Sequence, residues 1–295
     1  MQLVGILCSI GAALFWAMAV VMFKMSGDVL SPTALNLFKG VVTLLLLAPT
    51  LWFAGVPLVP HDQAGDWLVL GVSGFMGVTL ADNFFFMALK RLGAGLWAVV
   101  DCLYLPFIIL LSAVFLNEQI GLRGMVGAAL VIVAIGAGSY SGGSAKCSQR
   151  DFLAGLFWGT LAVSLLAGSI IMVKPLLETT SVLWASYVRL MAGVGGLLVL
   201  AVIQPDRKQT LSVLLPSQAW KIALPASIVG NYLAMIAWLA GFKYTLVSVA
   251  AILNQLSTIF TFILAAVFLK EPVTLPRIIA ILLAVAGALL AAGAT

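Results

Sequence analysis

Four charged residues stand inside long apolar stretches of the sequence: Lys39, Asp82, Asp101 and Arg189. In a bilayer, an ionisable side chain at depth costs about 2.5–3.5 kcal/mol on insertion scales, so it takes a partner or faces a water-filled cavity. These residue types allow three kinds of chemistry: an ion pair, a proton carried on a carboxylate, and an anion bound by a guanidinium. We therefore take these four residues as the first candidates for a functional site.

Lys39, Asp82 and Asp101 are predicted to lie at one depth. Each is about seven or eight residues from the same membrane face, which places it roughly 10–12 Å below that surface. One interpretation is a structural ion pair between Lys39 and one of the two acids. The other is that the second acid, which has no matched base, carries a proton. Asp101 and Asp82 are thus the candidates for proton coupling, and Asp101 is preferred because its counterpart in an internal repeat, Asn254, is neutral.

Arg189 differs from the other three because no acid lies within an apolar stretch of the second half of the chain. Its candidate neighbours there are neutral and include Asn231, Asn254 and Gln255. A guanidinium that faces a cavity suits an anionic group, since its planar fork binds a carboxylate or phosphate through two hydrogen bonds. The alternative is that Arg189 extends to the membrane surface or bonds carbonyls at a helix end.

Polar and aromatic residues within the apolar stretches complete the candidate substrate site, because small-molecule sites are mostly apolar with a few placed polar groups. With Arg189 and Lys39, the candidate substrate-binding residues are Tyr104, Asn231, Tyr232, Asn254, Gln255, Trp97 and Trp184. The three cysteines lack the spacing of a metal site. No catalytic residue, metal or cofactor is expected.

The elements that must position these residues follow from the composition, which is 63% hydrophobic and only 8% charged. Soluble proteins carry about 25% charged residues, so a soluble enzyme, a nucleic-acid binder and a disordered protein are excluded. The expected partners are membrane lipid and a small-molecule substrate, with no nucleic acid. Apolar runs of about 20 residues predict an all-α integral membrane protein with ten transmembrane helices. The ten runs are 3–23, 33–54, 66–89, 94–116, 122–140, 152–173, 181–203, 218–241, 245–269 and 275–293.

The chain contains an internal repeat. A shift of 153 residues places AVFLNE, which ends at Glu118, on AVFLKE, which ends at Glu271, and a shift of 150 places Lys39 on Arg189. The two predicted domains are residues 3–140 and 152–293, with five spans each. An odd number of spans makes the second half enter the membrane from the opposite side, so the halves are predicted to be inverted repeats. That build is typical of secondary transporters with a site near the midplane.

The two glutamates that end the repeated strings have a predicted structural role. Glu118 and Glu271 each follow a predicted span at matched positions. We expect them to cap helices or to pair locally, with Arg123 and Arg277 respectively.

The repeated segments AVFLNEQIGLRGMVGAALVIVAIG and AVFLKEPVTLPRIIAILLAVAGALL resemble the signature of the EamA family, within the drug/metabolite transporter superfamily. The resemblance covers nearly the whole chain. It implies an alternating-access carrier with a central cavity between the halves, often an exporter in bacteria. Members of the superfamily move amino acids, sugar phosphates, nucleotide sugars, drugs or lipid-linked sugars.

Arg189 and the acids favour amino acids or related anionic or zwitterionic compounds as the substrate, with possible coupling to protons. An exporter of cationic drugs and a flippase for lipid-linked sugars are the alternatives. The carrier is expected in the cell (inner) membrane, as a monomer or a homodimer. Lysine and arginine are concentrated in the loops after odd-numbered spans, so the positive-inside rule places both termini outside the cytoplasm.

Overall fold

The computed structural model describes residues 2–27, 30–57, 64–116, 148–245 and 253–292, with isolated residues at 122, 126–127, 129–130, 133–134 and 250. The fifth predicted span, 122–140, therefore falls largely outside the described residues. Regular structure in the described ranges is helical throughout. The α-helices are α1 (Gln2–Gly27), α2 (Pro32–Phe53), α3 (Ala64–Gly74), α4 (Asp82–Asp101), α5 (Tyr104–Leu116), α6 (Gln149–Thr179), α7 (Val182–Ile203), α8 (Arg207–Ser212), α9 (Trp220–Ser227), α10 (Ala234–Tyr244), α11 (Leu256–Phe268) and α12 (Leu275–Ala292). Two π-helical segments, π1 (Phe75–Ala81) and π2 (Ile228–Leu233), connect α3 to α4 and α9 to α10.

Six helical stretches in the described ranges are long and apolar enough to cross a membrane. They are Leu3–Gly27, Pro32–Phe53, Gly65–Asp101, Gln149–Leu177, Val182–Ile203 and Trp220–Tyr244. Two apolar helices, Leu256–Phe268 and Ile278–Gly287, are shorter. Since a span needs about 20 apolar residues, the chain is built as a multi-pass membrane protein. The stretch Gly65–Asp101 contains the third predicted span and the start of the fourth.

Gly93 divides α4 into two parts. Its backbone has φ 79°, a left-handed conformation that glycine adopts without steric cost. The helix that restarts after it has free backbone N–H groups, and those of Ala94 and Gly95 donate to the Glu271 carboxylate at 2.9 and 3.1 Å. Glu271 therefore caps a helix, as predicted, but one that belongs to the other half of the chain. Its counterpart Glu118 lies outside the described residues.

A second break separates α4, which ends at Asp101, from α5, which begins at Tyr104. The break lies one turn before Pro106. Proline has no backbone N–H, so the helical hydrogen bond to the Cys102 carbonyl cannot form there. A turn at Gln255 interrupts the chain at the equivalent place before α11. Both halves therefore carry a broken helix at the same position of the repeat, and broken helices are common around transporter sites.

The helices of the second half recur at the two offsets found in the sequence. Helix α7 repeats the bounds of α2 150 residues later, and π2 begins 153 residues after π1. The packing is reciprocal as well: α1 contacts α10 and α11, while α6, its counterpart, contacts α4 and α5. Each half therefore packs its first helix against the third and fourth predicted spans of the other.

Candidate functional site

A cavity of about 160 Å³ lies where the two halves meet. Eight of the eleven candidate residues line it: Asp82, Trp97, Asp101, Tyr104, Arg189, Asn231, Asn254 and Gln255. The rest of its wall is mainly apolar and aromatic, with contributions from Trp16, Phe85, Leu166, Met235 and Trp238. An apolar chamber with a few polar groups is the usual form of a small-molecule site.

Lys39 lies behind this wall, and its ammonium has two hydrogen-bond partners. Its ammonium is 2.5 Å from the Asp82 carboxylate and donates to the Asn231 side-chain oxygen at 3.1 Å. The Asn231 amide in turn donates to the hydroxyl of Thr43, and the Phe86 ring centroid is 5.6 Å from the ammonium. The predicted ion pair therefore forms with Asp82, and Asn231 ties it to the second half.

Asp101 lines the cavity at the end of α4, beside the helix break. No described residue forms a hydrogen bond or an ion pair with its carboxylate. Asn254, its counterpart 153 residues later, also lines the cavity, and both of its amide atoms are buried without a hydrogen-bond partner among the described residues. The two equivalent positions thus present unsatisfied polar groups to the same space. The hydroxyl of Tyr104, one turn from Asp101, is also buried without a hydrogen-bond partner among the described residues.

Arg189 reaches the cavity from the middle of α7 and is only 5% exposed. Its Nη2 donates to the Ser169 hydroxyl at 3.3 Å, and its Nη1 is buried with no hydrogen-bond partner among the described residues. The guanidinium is buried, and the hydrogen bond it makes among the described residues goes to a hydroxyl rather than to a helix-end carbonyl. Tyr104 lines the same cavity as Arg189 and Asp101. One cavity therefore holds a cation and an anion, neither of which has a charged partner in contact among the described residues.

A match to a known family decides what kind of protein this is. The model of the EamA-like transporter family matches residues 3–137 and 153–293. The chain belongs to the EamA-like transporter family. The resemblance predicted from the repeated segments is thereby confirmed, and the protein is a membrane transporter built from two EamA repeats.

A solved structure has a fold similar to that of this EamA-like chain. A solved crystal structure superposes on it with a TM-score of 0.71, over 99% of this chain and 97% of that one, at 18% sequence identity. At that identity the likeness shows the fold alone. A search of curated proteins found no match.

Two candidates of the EamA-like chain lie away from the cavity. The Tyr232 hydroxyl is 2.6 Å from that of Thr50 on α2, and Trp184 is buried with its ring edge-on to Trp67. Tyr232 directly follows Asn231, and neighbouring residues of a helix point in different directions. Trp184 lies more than a turn before Arg189 on α7. Tyr232 and Trp184, which were expected in the substrate site, therefore do not line this cavity. Tyr232 forms a hydrogen bond between helices, and Trp184 packs between them.

Ser169 is a site residue that sequence reasoning missed. It accepts the hydrogen bond of Arg189, and its backbone carbonyl accepts one from the Ser73 hydroxyl at 2.7 Å. Gly77 makes room for this contact, because a Cβ there would lie 2.9 Å from the Ser169 hydroxyl and 3.2 Å from Arg189 Nη2. A lone serine in an apolar run gives no signal, whereas the match of Gly77 with Gly230 is visible in the repeat.

Gly230 marks the same crossing in the other half. A Cβ on it would collide with Ala19, which stands 150 residues before Ser169. Where the second crossing has an apolar alanine, the first has a hydroxyl that bonds an arginine. The small residues permit the close helix approach that membrane proteins use, and the serine adds a support for Arg189.

Proposed function

We propose that this EamA-like protein is an alternating-access secondary carrier of amino acids or related anionic and zwitterionic metabolites, and that it exports them. The observation that carries the proposal is the Arg189 guanidinium in the central cavity, with Nη1 unbonded among the described residues. A buried guanidinium with free N–H groups is a strong site for a carboxylate, because hydrogen bonds between ions are about twice as strong as neutral ones.

Asp101 supports the choice of a zwitterion over a simple anion. Its carboxylate lines the same cavity and takes no hydrogen bond from a described residue. In our proposal the substrate's carboxylate binds Arg189 and its ammonium binds Asp101. The aromatic wall, with Trp16, Trp97 and Trp238, contacts the apolar part of the substrate. Such pairing gives Arg189 and Asp101 a charged partner at the same time, which neither a pure cation nor a pure anion does.

The inverted arrangement of the halves, which is a common build of secondary transporters, is part of the proposal. Cys102 and Gln255 are equivalent under the 153-residue shift, and the Gln255 amide donates to the Cys102 sulfur at 3.1 Å. Equivalent residues that touch each other lie on a two-fold axis. The reciprocal packing of α1 and α6 is consistent with such an axis. We propose ten spans in two domains, 3–140 and 152–293. We further propose that the carrier lies in the inner membrane of the cell, with both termini outside the cytoplasm.

Proton coupling follows from competition for one carboxylate. Asp82 is engaged by Lys39, whereas Asp101 is open to the cavity. If a proton and the substrate's ammonium compete for Asp101, each displaces the other, and the inward movement of a proton is linked to the outward movement of the substrate. Asp101 is therefore the proposed coupling residue, and Asp82 is assigned to the structural pair.

An exporter of cationic drugs is the second candidate, and Asp101 within an aromatic wall is the observation that favours it. Arg189 weighs against it, because a cation in the same cavity repels a second one. The two candidates make opposite predictions about which charge a ligand needs.

Three probes with the same ring separate the candidates: L-phenylalanine, 3-phenylpropanoate and phenethylamine. Each is added to the purified protein in detergent and the melting temperature is recorded. A ligand at 100 times its Kd stabilises the folded state by about 2.7 kcal/mol. The proposal predicts the largest shift with L-phenylalanine, loss of the 3-phenylpropanoate shift in Arg189→Ala, and loss of the phenethylamine shift in Asp101→Asn. A shift with phenethylamine alone, kept in Arg189→Ala, would instead identify a cation exporter.

A further inference from the structure

Lys39 and Arg189 are equivalent residues, and so are Asp82 and Met235. The first pair is related by 150 residues and the second by 153, the offsets at which α7 repeats α2 and π2 repeats π1. Helix α2 packs against α4, and α7 packs against α10 in the same way. By this equivalence Met235 corresponds to Asp82, the ion-pair partner of Lys39, and Met235 and Arg189 line the same cavity.

This difference between the halves leaves Arg189 without a carboxylate in contact among the described residues. In the first half the cation is neutralised by the Asp82 carboxylate at 2.5 Å. In the second half the equivalent position carries a thioether, which has no charge and lines the cavity. A guanidinium has five N–H donors, and the described residues take up one hydrogen bond, at Ser169. The place of the missing carboxylate is inside the cavity that the substrate enters.

We propose that the substrate's own carboxylate completes the second ion pair, in the place that Asp82 holds in the first half, and that Met235 is the specificity-determining residue that keeps this place open. The inference rests on the proposed function and sharpens it to a substrate class. The place fits one planar group with a single negative charge. A phosphate monoester, with a charge of about −1.5 to −2, exceeds what the one free guanidinium balances, so the site selects carboxylates over phosphate esters.

The test replaces Met235 by a residue that fills the place itself. In Met235→Glu, a built-in carboxylate competes with the ligand for Arg189, while Met235→Gln has nearly the same shape without the charge. We expect Met235→Glu to bind 3-phenylpropanoate at least about tenfold more weakly than Met235→Gln does, since breaking a charge-assisted contact has about this effect. Phenethylamine, a cation that Arg189 repels, is expected to bind Met235→Glu at least as tightly as Met235→Gln, so a loss confined to 3-phenylpropanoate excludes general damage to the cavity.

The stability of the empty protein gives a second reading of the same variants. The introduced carboxylate should raise the melting temperature of Met235→Glu above that of Met235→Gln, and this difference should vanish when both are made in the Arg189→Ala background. A Met235→Glu protein that binds 3-phenylpropanoate as Met235→Gln does would overturn the inference.

A comparison in the unmutated protein covers the case in which Met235→Glu does not fold. The inference predicts that 3-phenylpropanoate binds at least about tenfold more tightly than phenyl phosphate, and equal or reversed affinities would overturn it. Failure of the proposed function and failure of this inference give different results. If Arg189→Ala keeps its affinity for 3-phenylpropanoate, the proposed function fails and the inference with it. If Arg189→Ala loses that affinity but Met235→Glu does not, only the inference fails.

Discussion

Lys39 and Arg189 occupy equivalent positions of the two repeats, yet only Lys39 has a carboxylate partner among the described residues. Both cations lie at the interface of the halves, and both are nearly fully buried. A duplicated chain would have started with the same environment at both positions. In our proposal, the difference between Asp82 and Met235 keeps Lys39 in a structural ion pair and leaves Arg189 available to the substrate.

The Lys39–Asp82 pair should be essential for stability. Asp82→Asn leaves the Lys39 ammonium buried without its counter-ion, and removal of one partner of a buried pair costs about 3–5 kcal/mol. We expect a large fall in the melting temperature of the detergent-solubilised protein. Asp206→Asn, at an exposed position, serves as the control and should change little. The double variant Lys39→Met/Asp82→Leu should recover much of the loss, and a double variant that is no more stable than Asp82→Asn would refute the ion-pair explanation.

Glu271 should hold together the two halves at the Gly93 break. Glu271→Ala removes the acceptor of the Ala94 and Gly95 N–H groups, and the loss of a helix cap costs about 0.5–2 kcal/mol. Glu271→Gln keeps one acceptor oxygen and should lose less. Hydrogen exchange at residues 94 and 95 reports the cap directly. It should accelerate most in Glu271→Ala, and unchanged exchange there would show that the cap does not protect these amides.

Ser169 should act on substrate affinity through Arg189. Ser169→Ala removes the hydroxyl that accepts from Nη2, so the guanidinium is less well positioned and KM for a carboxylate substrate should rise about three- to tenfold with little change in kcat. Ser169→Thr keeps the hydroxyl and should preserve KM. Ala19→Ser, at the equivalent crossing, is the matched control. Equal KM values for Ser169→Ala and Ser169→Thr would remove Ser169 from the positioning role.

Asp101 should couple transport to protons. Asp101→Asn copies the neutral residue of the other half, Asn254, and cannot bind or release a proton. In proteoliposomes, accumulation of L-phenylalanine driven by a pH gradient should be abolished in this variant. Asp66→Asn, which changes an acid at the start of α3 outside the cavity, should retain it. Proton dependence that is unchanged in Asp101→Asn would move the coupling site elsewhere.

The charged residues are the part of the site that can be predicted from the sequence. A charge within a 20-residue apolar run has few tolerable environments, so the residue types alone single out Arg189 and Asp101. The depth count also brings Lys39 and Asp82 to one level. Which of the two acids pairs with Lys39 depends on how α2 and α4 rotate against each other, and periodicity in an all-apolar helix does not fix that rotation.

The remaining lining residues cannot be predicted for the same reason. Asn231 and Tyr232 are adjacent and both polar, yet only Asn231 faces the cavity. Met235 looks like any other apolar residue of a membrane helix, and its proposed role follows only from its equivalence with Asp82 in the repeat. Pro106 predicts a kink where the helix breaks, whereas the equivalent turn at Gln255 has no proline to announce it.

Transport of a zwitterion by the wild-type protein, Arg189→Lys and Arg189→Ala would show whether the Arg189 guanidinium binds the substrate. The measurement is counterflow of labelled L-phenylalanine into proteoliposomes at a concentration well below KM. We expect uptake by the wild-type protein and no uptake above protein-free vesicles in Arg189→Ala. Arg189→Lys should lose about tenfold or more, because lysine lacks the planar fork that binds a carboxylate through two hydrogen bonds. Wild-type uptake that Arg189→Ala retains in full would contradict the claim that this guanidinium binds the substrate.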